Sequence, residues 1–313
     1  MPSYEVVTVN YLTRRYLARM LACLPPDVWV TVVDNSGRVE PVDDLVLSRP
    51  RSRYLAMVRN VGFAQAANHG VAQARSDVVI VLNPACFPGP SVLDQLAGEV
   101  TGDGYAACAP AIVSDPGGAQ YGGGGWLPTL GRAIAHALGA HQTRIFARSG
   151  MAVSPGQREA IDVEWLAGAC LAVDRQAFEA VGGFDERFFL YNEDMGLGRR
   201  LNQAGLRQRL RADITVPHVG GASSASIRPI VWDIRADSMV AYLHAYNPRW
   251  EALAIRGVLA GGYLARAAGY ALAGRRERAP EMLHYLRRTL PARGPERATA
   301  TVPGGPASVG SGL

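Results

Sequence analysis

The stretches EVVTVN (residues 5–10) and VWVTVVD (residues 28–34) decide the fold class, because both are almost unbroken apolar runs rich in valine. Runs of this length and composition are typical of strands that are buried on both faces. The segment between them predicts a helix that begins after Thr13. This order of strand, helix and strand predicts an α/β domain.

The same alternation continues along the chain. Residues 54–58 are predicted to form a third strand, residues 63–74 a helix, and residues 77–82 a fourth strand that ends before Asn83 and Pro84. Such alternation predicts a mostly parallel, Rossmann-like sheet with helices on both faces. Ligands of these sheets bind outside the carboxyl ends of the strands, so we expect a site there.

The remaining sequence divides into regions of different composition. Residues 1–247 are predicted to form the α/β domain, in which residues 114–160 form a mobile, glycine-rich loop region with a short helix near Leu130–Leu138. Residues 248–290 follow an amphipathic helical pattern, so we expect a helical extension there. Residues 291–313 have the composition of a disordered tail.

Composition and charge narrow the class of protein. The chain has 313 residues, 48% hydrophobic and 19% charged, which suits a folded enzyme. Its net charge is +5, and its basic residues are scattered along the chain except for a cluster between residues 275 and 288. We therefore expect no nucleic-acid partner, because nucleic-acid binders concentrate their charge on one face. A late basic region fits an anionic membrane surface or a phosphate-bearing substrate.

The termini and the cysteines indicate a cytoplasmic protein. The N-terminal sequence lacks the pattern of a secretion signal, and no apolar stretch reaches the ~20 residues of a membrane span. The four cysteines form no CxxC pair, and Cys86, Cys108 and Cys170 lie in apolar stretches that are typical of reduced core positions.

Two adjacent carboxylates are the first candidates for catalysis. A helix is predicted from about Asn192 to Ala204, with Asn192 as its N-cap and Glu193 and Asp194 in its first turn. The helix dipole favours ionised acids at this end, and an ionised carboxylate beside a cleft can accept a proton from a hydroxyl. The alternative is that both acids merely stabilise the helix.

Other polar residues lie at positions where a ligand is expected to bind. Asp34 ends a predicted strand and can accept from a base or a ribose, although it also suits an ordinary turn. The segment from Asn60 to Phe63 places Gly62 before a helix, where backbone amides can approach a phosphate. His218 follows an apolar run and is either a ligand of a metal or diphosphate or a structural histidine.

The order of these motifs resembles the inverting GT-A glycosyltransferases of family 2, in particular their rhamnosyltransferase-like branch. The resemblance covers roughly residues 5 to 225, and its most specific part is GGFDERFFLYNED (182–194). It implies transfer of a sugar, such as the deoxyhexose rhamnose, from a nucleotide-diphosphate donor to a hydroxyl of a cell-envelope or secondary-metabolite acceptor. The further motifs are VTVNY (7–11), VDNSG (33–37), NVGFAQAAN (60–68), VLNP (81–84) and VPHVGG (216–221).

The resemblance also implies a role for individual residues. Asp194 would be the catalytic base, supported by Glu193, and His218 would help to bind a metal–diphosphate unit. Trp165, Gly168 and Ala169 would form the floor where sugar and acceptor meet. The residues expected to bind the nucleotide sugar are Asn10, Asp34, Asn60, Gly62, Phe63, Asn68, Asn83 and, as a cation near the leaving diphosphate, Arg200.

Two departures from the family pattern concern acidic residues. Ala85 stands where the family has the aspartate of Asn-Pro-Asp, and Gly196 replaces the second aspartate of Glu-Asp-x-Asp. Because Mg²⁺ and Mn²⁺ prefer oxygen ligands, we expect metal dependence to be weak or dispensable. The alternatives are the same enzyme class with a GDP- or UDP-sugar donor, or a degenerate, non-catalytic nucleotide-sugar-binding protein.

The helical extension has three possible roles. Leu253, Leu259 and Leu272 alternate with Arg256 and Arg266, a pattern typical of helices that lie in a membrane interface. This predicts a peripheral attachment to the inner face of an anionic membrane. The same pattern fits packing on the domain's own core or in a homodimer.

Overall fold

The computed structural model describes residues 4–89, 91–115, 118, 120–139, 150–154, 156–220 and 228–290. The strands are β1 (Tyr4–Asn10), β2 (Trp29–Asp34), β3 (Ser52–Ala56), β4 (Val78–Leu82), β5 (Ala107–Ser114), β6 (Gln120–Gly122), β7 (Gly124–Gly125), β8 (Ile161–Val163), β9 (Trp165–Leu166), β10 (Cys170–Asp174) and β11 (Gln208–His218). Residues 140–149 of the predicted mobile region and the predicted tail lie outside the described residues.

Ten α-helices surround these strands in the described part of the chain. They are α1 (Arg14–Cys23), α2 (Asp43–Leu47), α3 (Phe63–Val71), α4 (Val92–Gly102), α5 (Leu130–Ala137), α6 (Arg175–Ala180), α7 (Glu193–Gln203), α8 (Arg228–Tyr246), α9 (Arg249–Leu272) and α10 (Ala279–Thr289). A single 3-10 turn, Arg276–Arg278, precedes α10.

The central sheet is mostly parallel, as the sequence predicts. Its strand order is β3-β2-β1-β4-β10-β5-β11-β8, with β6 paired to β5. Strands β3, β2, β1 and β4 run parallel, whereas β10 runs antiparallel between β4 and β5. Asn10 pairs with Asp34, and Asp34 with Ala56, so three strands end at one edge of the sheet.

Two apolar layers cover the sheet because its strands alternate buried side chains between the faces. On one face, Val6 and Ile80 pack with Leu17 of α1 and Leu96 of α4. On the other face, the core includes α3, α6 and α7. Cys86, Cys108 and Cys170 are buried, which confirms them as core residues.

The helical extension packs on the domain through a third apolar cluster. Ile255 and Leu259 of α9 meet Phe188 and Met195, which flank the start of α7. Packing on the domain's own core is therefore the alternative that the structure supports. None of the described helices is long and apolar enough to cross a membrane.

The structure differs from the sequence predictions at three elements. The third strand ends at Ala56 instead of residue 58, and Val58 is 94% exposed beyond it. Asn192 occupies the N-cap position of α7, but its backbone is left-handed at φ 64° and its side chain caps nothing. Helix α8 was not predicted at all.

Candidate active site

A cavity of about 430 Å³ opens at the carboxyl ends of β1 and β4. The predicted site residues that line it come from several separate parts of the sequence. They are Asn60, Gly62, Phe63, Asn83, Trp165, Gly168, Ala169, Glu193, Asp194 and His218. The structure thus brings together most of the residues that sequence reasoning selected.

Asp194 is held on the cavity wall by two backbone amides. Met195 N donates to its Oδ1 at 2.8 Å, and Gly168 N donates to its Oδ2 at 3.3 Å. Burial raises the pKa of Asp194, while these amides act in the opposite direction by favouring the charged form. The raised pKa gives this carboxylate a higher basicity than that of an exposed aspartate.

Glu193 lies deeper and has a different environment. It is 5% exposed, and its Oε2 has no hydrogen-bond partner among the described residues. Burial, and then the charge of Asp194, raise the pKa of Glu193 well above its ordinary value. The helix dipole was expected to favour the ionised form of both acids, but burial of Glu193 acts in the opposite direction. Burial raises the pKa of both carboxyls, and at Asp194 the amides of Met195 and Gly168 oppose this effect by favouring the charged form.

The turn before α7 is conformationally unusual. Tyr191 and Asn192 both have positive φ, at 68° and 64°. Left-handed backbone costs about 1–3 kcal/mol at a residue other than glycine and is enriched at functional sites. This turn fixes the direction in which Glu193 and Asp194 enter the helix, and both Tyr191 and Asp194 face the cavity.

Gly62 and Phe63 join the opposite wall to this turn. Phe63 N donates to the carbonyl of Phe189 at 2.8 Å. Gly62 has φ +88°, and a Cβ there would lie 2.5 Å from the Phe189 carbonyl oxygen. A glycine is therefore required, and it holds the loop before α3 against the loop before α7.

Asn35, which the sequence analysis missed, folds the loop that carries Asn60. Its Nδ2 donates to Asn60 Oδ1 at 2.8 Å, and its Oδ1 accepts from Val61 N at 3.0 Å. Gly62 N also donates to Asn60 Oδ1, at 3.0 Å. Both asparagines line the cavity, but their amides are largely used to shape its wall.

Four predicted ligand-binding residues do not line the cavity. Asp34 is 1% exposed and accepts from Ser36 N and Tyr54 Oη, at 3.0 and 2.7 Å. Asn10 is buried and accepts from Thr13 Oγ1 at 2.8 Å. Their side chains are thus oriented by protein partners that the strand-end pattern could not indicate.

The other two, Asn68 and Arg200, brace the segment after α6. Asn68 Nδ2 donates to the Phe184 carbonyl at 2.9 Å. The Arg200 guanidinium donates to the carbonyls of Val181, at 2.8 Å, and Gly183, at 2.5 Å. Arg200 is therefore corrected from a diphosphate contact to a structural residue, because backbone carbonyls occupy its donors.

The residues expected at a metal site do not form one by themselves. Asn83 Oδ1 accepts from Ala85 N at 2.9 Å, so this oxygen is already used in a turn. Burial lowers the pKa of His218, which favours its neutral form. Across the described ranges, no three histidine, cysteine, aspartate or glutamate side chains are grouped to hold a metal ion. The donor set does not fit a metal held by the protein alone.

The sequence analysis also missed Tyr11, Tyr191 and Arg235 as cavity residues. Arg235 belongs to α8, and its guanidinium carbon lies 4.6 Å from the centre of the Tyr191 ring. A basic residue in the segment after His218 could have indicated Arg235, but only the packing of α8 places this side chain at the cavity.

A mostly parallel sheet with a carboxylate pair on the wall of a cleft at its strand ends is the architecture of a GT-A glycosyltransferase. The model of the family described as "Glycosyl transferase family 2" matches residues 6–152. An N-acetylglucosaminyl-diphospho-decaprenol L-rhamnosyltransferase of Mycobacterium tuberculosis is 35% identical over 219 residues, which are 64% of this chain and 70% of that protein. The chain belongs to glycosyltransferase family 2, in its rhamnosyltransferase-like part.

Solved structures support the fold. The mannosyltransferase PcManGT from Pyrobaculum calidifontis, in complex with GDP-Man and Mn²⁺, has a TM-score of 0.56 at 15% identity, over 92% of this chain and 86% of its own. TarS of S. aureus has a TM-score of 0.50 at 12% identity, over 92% and 80%. GalNAc-T7, solved with UDP, GalNAc and Mn²⁺, has a TM-score of 0.51 at 16% identity, but this chain spans only 44% of its length. A divalent metal is thus compatible with the fold.

Proposed function

We propose that this glycosyltransferase transfers a deoxyhexose such as rhamnose from a nucleotide-diphosphate donor, with inversion at the anomeric carbon. The observation that carries the mechanism is Asp194, whose carboxylate faces the cavity and is oriented by the amides of Gly168 and Met195. The similarity to a mycobacterial rhamnosyltransferase supports the sugar.

The reaction is a single displacement. An acceptor hydroxyl transfers its proton to Asp194 while its oxygen bonds to the anomeric carbon. The bond from that carbon to the diphosphate breaks at the same time, and its electron pair leaves with the nucleoside diphosphate. Asp194 can act as the base because it lines the cavity and because its raised pKa increases its basicity.

We propose further that the acceptor is a lipid-linked cell-envelope intermediate, met at a membrane surface. The name of the similar mycobacterial protein includes such an acceptor, N-acetylglucosaminyl-diphospho-decaprenol. At about 100° per residue, the large exposed apolar side chains of α9 fall within a sector of about 100°. These are Trp250, Leu253, Leu264 and Leu272, which are 67%, 45%, 54% and 90% exposed.

The structure changes which residues of the extension could meet a membrane. Leu259 is buried, and Arg256 is buried with its donors on the carbonyls of Thr289 and Leu290. Both were part of the predicted interfacial pattern and are removed from it. Arg275 and Arg276 remain exposed just beyond Leu272, where they can meet anionic lipid.

A binding experiment followed by a transfer assay tests the proposal. Thermal shifts are measured with dTDP-rhamnose, UDP-sugars and GDP-sugars, because a ligand of the folded state raises stability with occupancy. The best donor is then incubated with polyprenyl-diphosphate-linked acceptors or soluble alcohols, and the anomeric configuration of the product is determined. Transfer that retains the donor configuration would contradict the mechanism. Binding without transfer or donor hydrolysis would favour the non-catalytic alternative, which Ala85 and Gly196 suggest.

A further inference from the structure

Arg235 is the single lysine or arginine among the described residues that line the cavity. Solvent reaches part of its side chain, and no carboxylate of the described residues forms an ion pair with it. Its guanidinium lies over the ring of Tyr191, 4.6 Å from the ring centre. A cation in this position is open to a ligand on one side and supported by an aromatic face on the other.

Helix α10 of the C-terminal extension also contacts this arginine. Burial on its own would lower the pKa of Arg235, but interactions with the hydroxyls of Tyr191 and Tyr285 outweigh it and raise that pKa. Tyr285 belongs to α10, and its ring packs 5.4 Å from the ring of Tyr263 on α9. The arginine thus lies between the turn before α7 and the extension.

Charged side chains fix α10 against α8, the helix that carries Arg235. Asp233 of α8 pairs with His284 and, at 2.7 Å, with Arg288. Arg288 also pairs with Asp237 at 3.0 Å. The carboxylates and the basic side chains lie one turn apart on each helix, so these pairs restrict sliding and rotation of α8.

We propose that Arg235 binds the diphosphate of the donor and stabilises the leaving nucleoside diphosphate, and that α10 positions it through Tyr285. This inference rests on the proposed function. As the bond between the anomeric carbon and the diphosphate oxygen breaks, the electron pair moves to that oxygen. Arg235 keeps its proton and donates hydrogen bonds to the growing charge, for which a guanidinium offers a fork of parallel donors.

Binding measurements separate this role from a structural one. Arg235→Gln is compared with Arg51→Gln, an exposed arginine just before β3 that does not line the cavity. Calorimetry uses dTDP, UDP and GDP, each beside its uncharged nucleoside. We expect Arg235→Gln to weaken diphosphate binding at least ~10-fold, to lower kcat by ~10²–10³-fold and to leave nucleoside binding unchanged. Arg51→Gln should match wild type.

Two further variants test the chemistry and the positioning. Arg235→Ala should recover part of its kcat when millimolar guanidinium is added, which a packing defect would not do. Tyr285→Phe removes only the hydroxyl and should lower kcat by a smaller factor, with an unchanged far-UV spectrum. The inference is overturned if Arg235→Gln binds diphosphates and turns over as wild type does. If wild type binds no nucleoside diphosphate and transfers no sugar, the proposed function and the role of Arg235 are both overturned, whereas the first outcome overturns the role of Arg235 alone.

Discussion

Asp194→Asn isolates proton transfer from structure, because it replaces one carboxylate oxygen with an amide nitrogen of the same size. The amide oxygen can still accept from Met195 N, which donates at 2.8 Å in the native protein. The new NH₂ group then faces Gly168 N, which loses a bond of 3.3 Å. The loss of one weak hydrogen bond costs about 1 kcal/mol of folding free energy. The fold should therefore survive, and the catalytic loss should be chemical.

We expect kcat to fall by at least ~10²-fold, the lower end for general-base catalysis, with donor affinity nearly unchanged. Turnover and donor binding are measured on the same preparation, by product formation and by calorimetry. Asp213→Asn, at an exposed position in the middle of β11 and outside the cavity, is the matched control and should behave as wild type. Near-normal turnover of Asp194→Asn would refute Asp194 as the base.

Three further predictions concern Glu193, the metal dependence and the membrane-binding surface. Because the pKa of Glu193 is raised, the stability it contributes is complete below its unfolded pKa of about 4.3 and is lost as pH rises through its folded pKa, by up to ~1.4 kcal/mol per pH unit. Glu193→Gln should remove this slope in urea unfolding between pH 4 and 8, and parallel profiles for the two proteins would contradict it. Activity should persist substantially in EDTA, or should require Mg²⁺ or Mn²⁺ at millimolar concentration. Activity that depends on micromolar metal would contradict this expectation. The double variant Leu264→Glu and Leu272→Glu should reduce flotation of the protein with anionic liposomes at low salt. A wild-type protein that does not bind these liposomes would contradict the proposed membrane-binding surface.

The sheet could be predicted from sequence because its strands are buried on both faces and therefore read as continuous apolar runs. The same reasoning failed for α8. Its buried side chains, among them Ile234, Ala236, Val240 and Tyr242, point to several sides of the helix. A helix covered on more than one side lacks the single apolar stripe that periodicity detects, so only its packing reveals it.

The candidate site was predictable where a role follows from position in the chain. Gly168 lies before β10 and Asp194 lies in the first turn of α7, and the hydrogen bond between them joins these two segments. Asp34 and Arg200 show the limit of that reasoning. The sequence places each near the cleft, but the direction of a side chain depends on partners such as Tyr54 and the Gly183 carbonyl, which come from elsewhere in the chain.

Gly196 connects the missing carboxylate to the helix that was not predicted. A Cβ at Gly196 would lie 3.2 Å from Tyr246 Oη and 3.5 Å from the Phe188 ring. The space beside the base is therefore filled by Tyr246 of α8, whose hydroxyl donates to Asp185 Oδ2 at 2.7 Å. A larger residue at position 196 would therefore require the Tyr246 side chain to shift. Gly196 thus leaves room for the contact between Tyr246 and Asp185, which helps to pack α8, the helix that carries Arg235, on the domain.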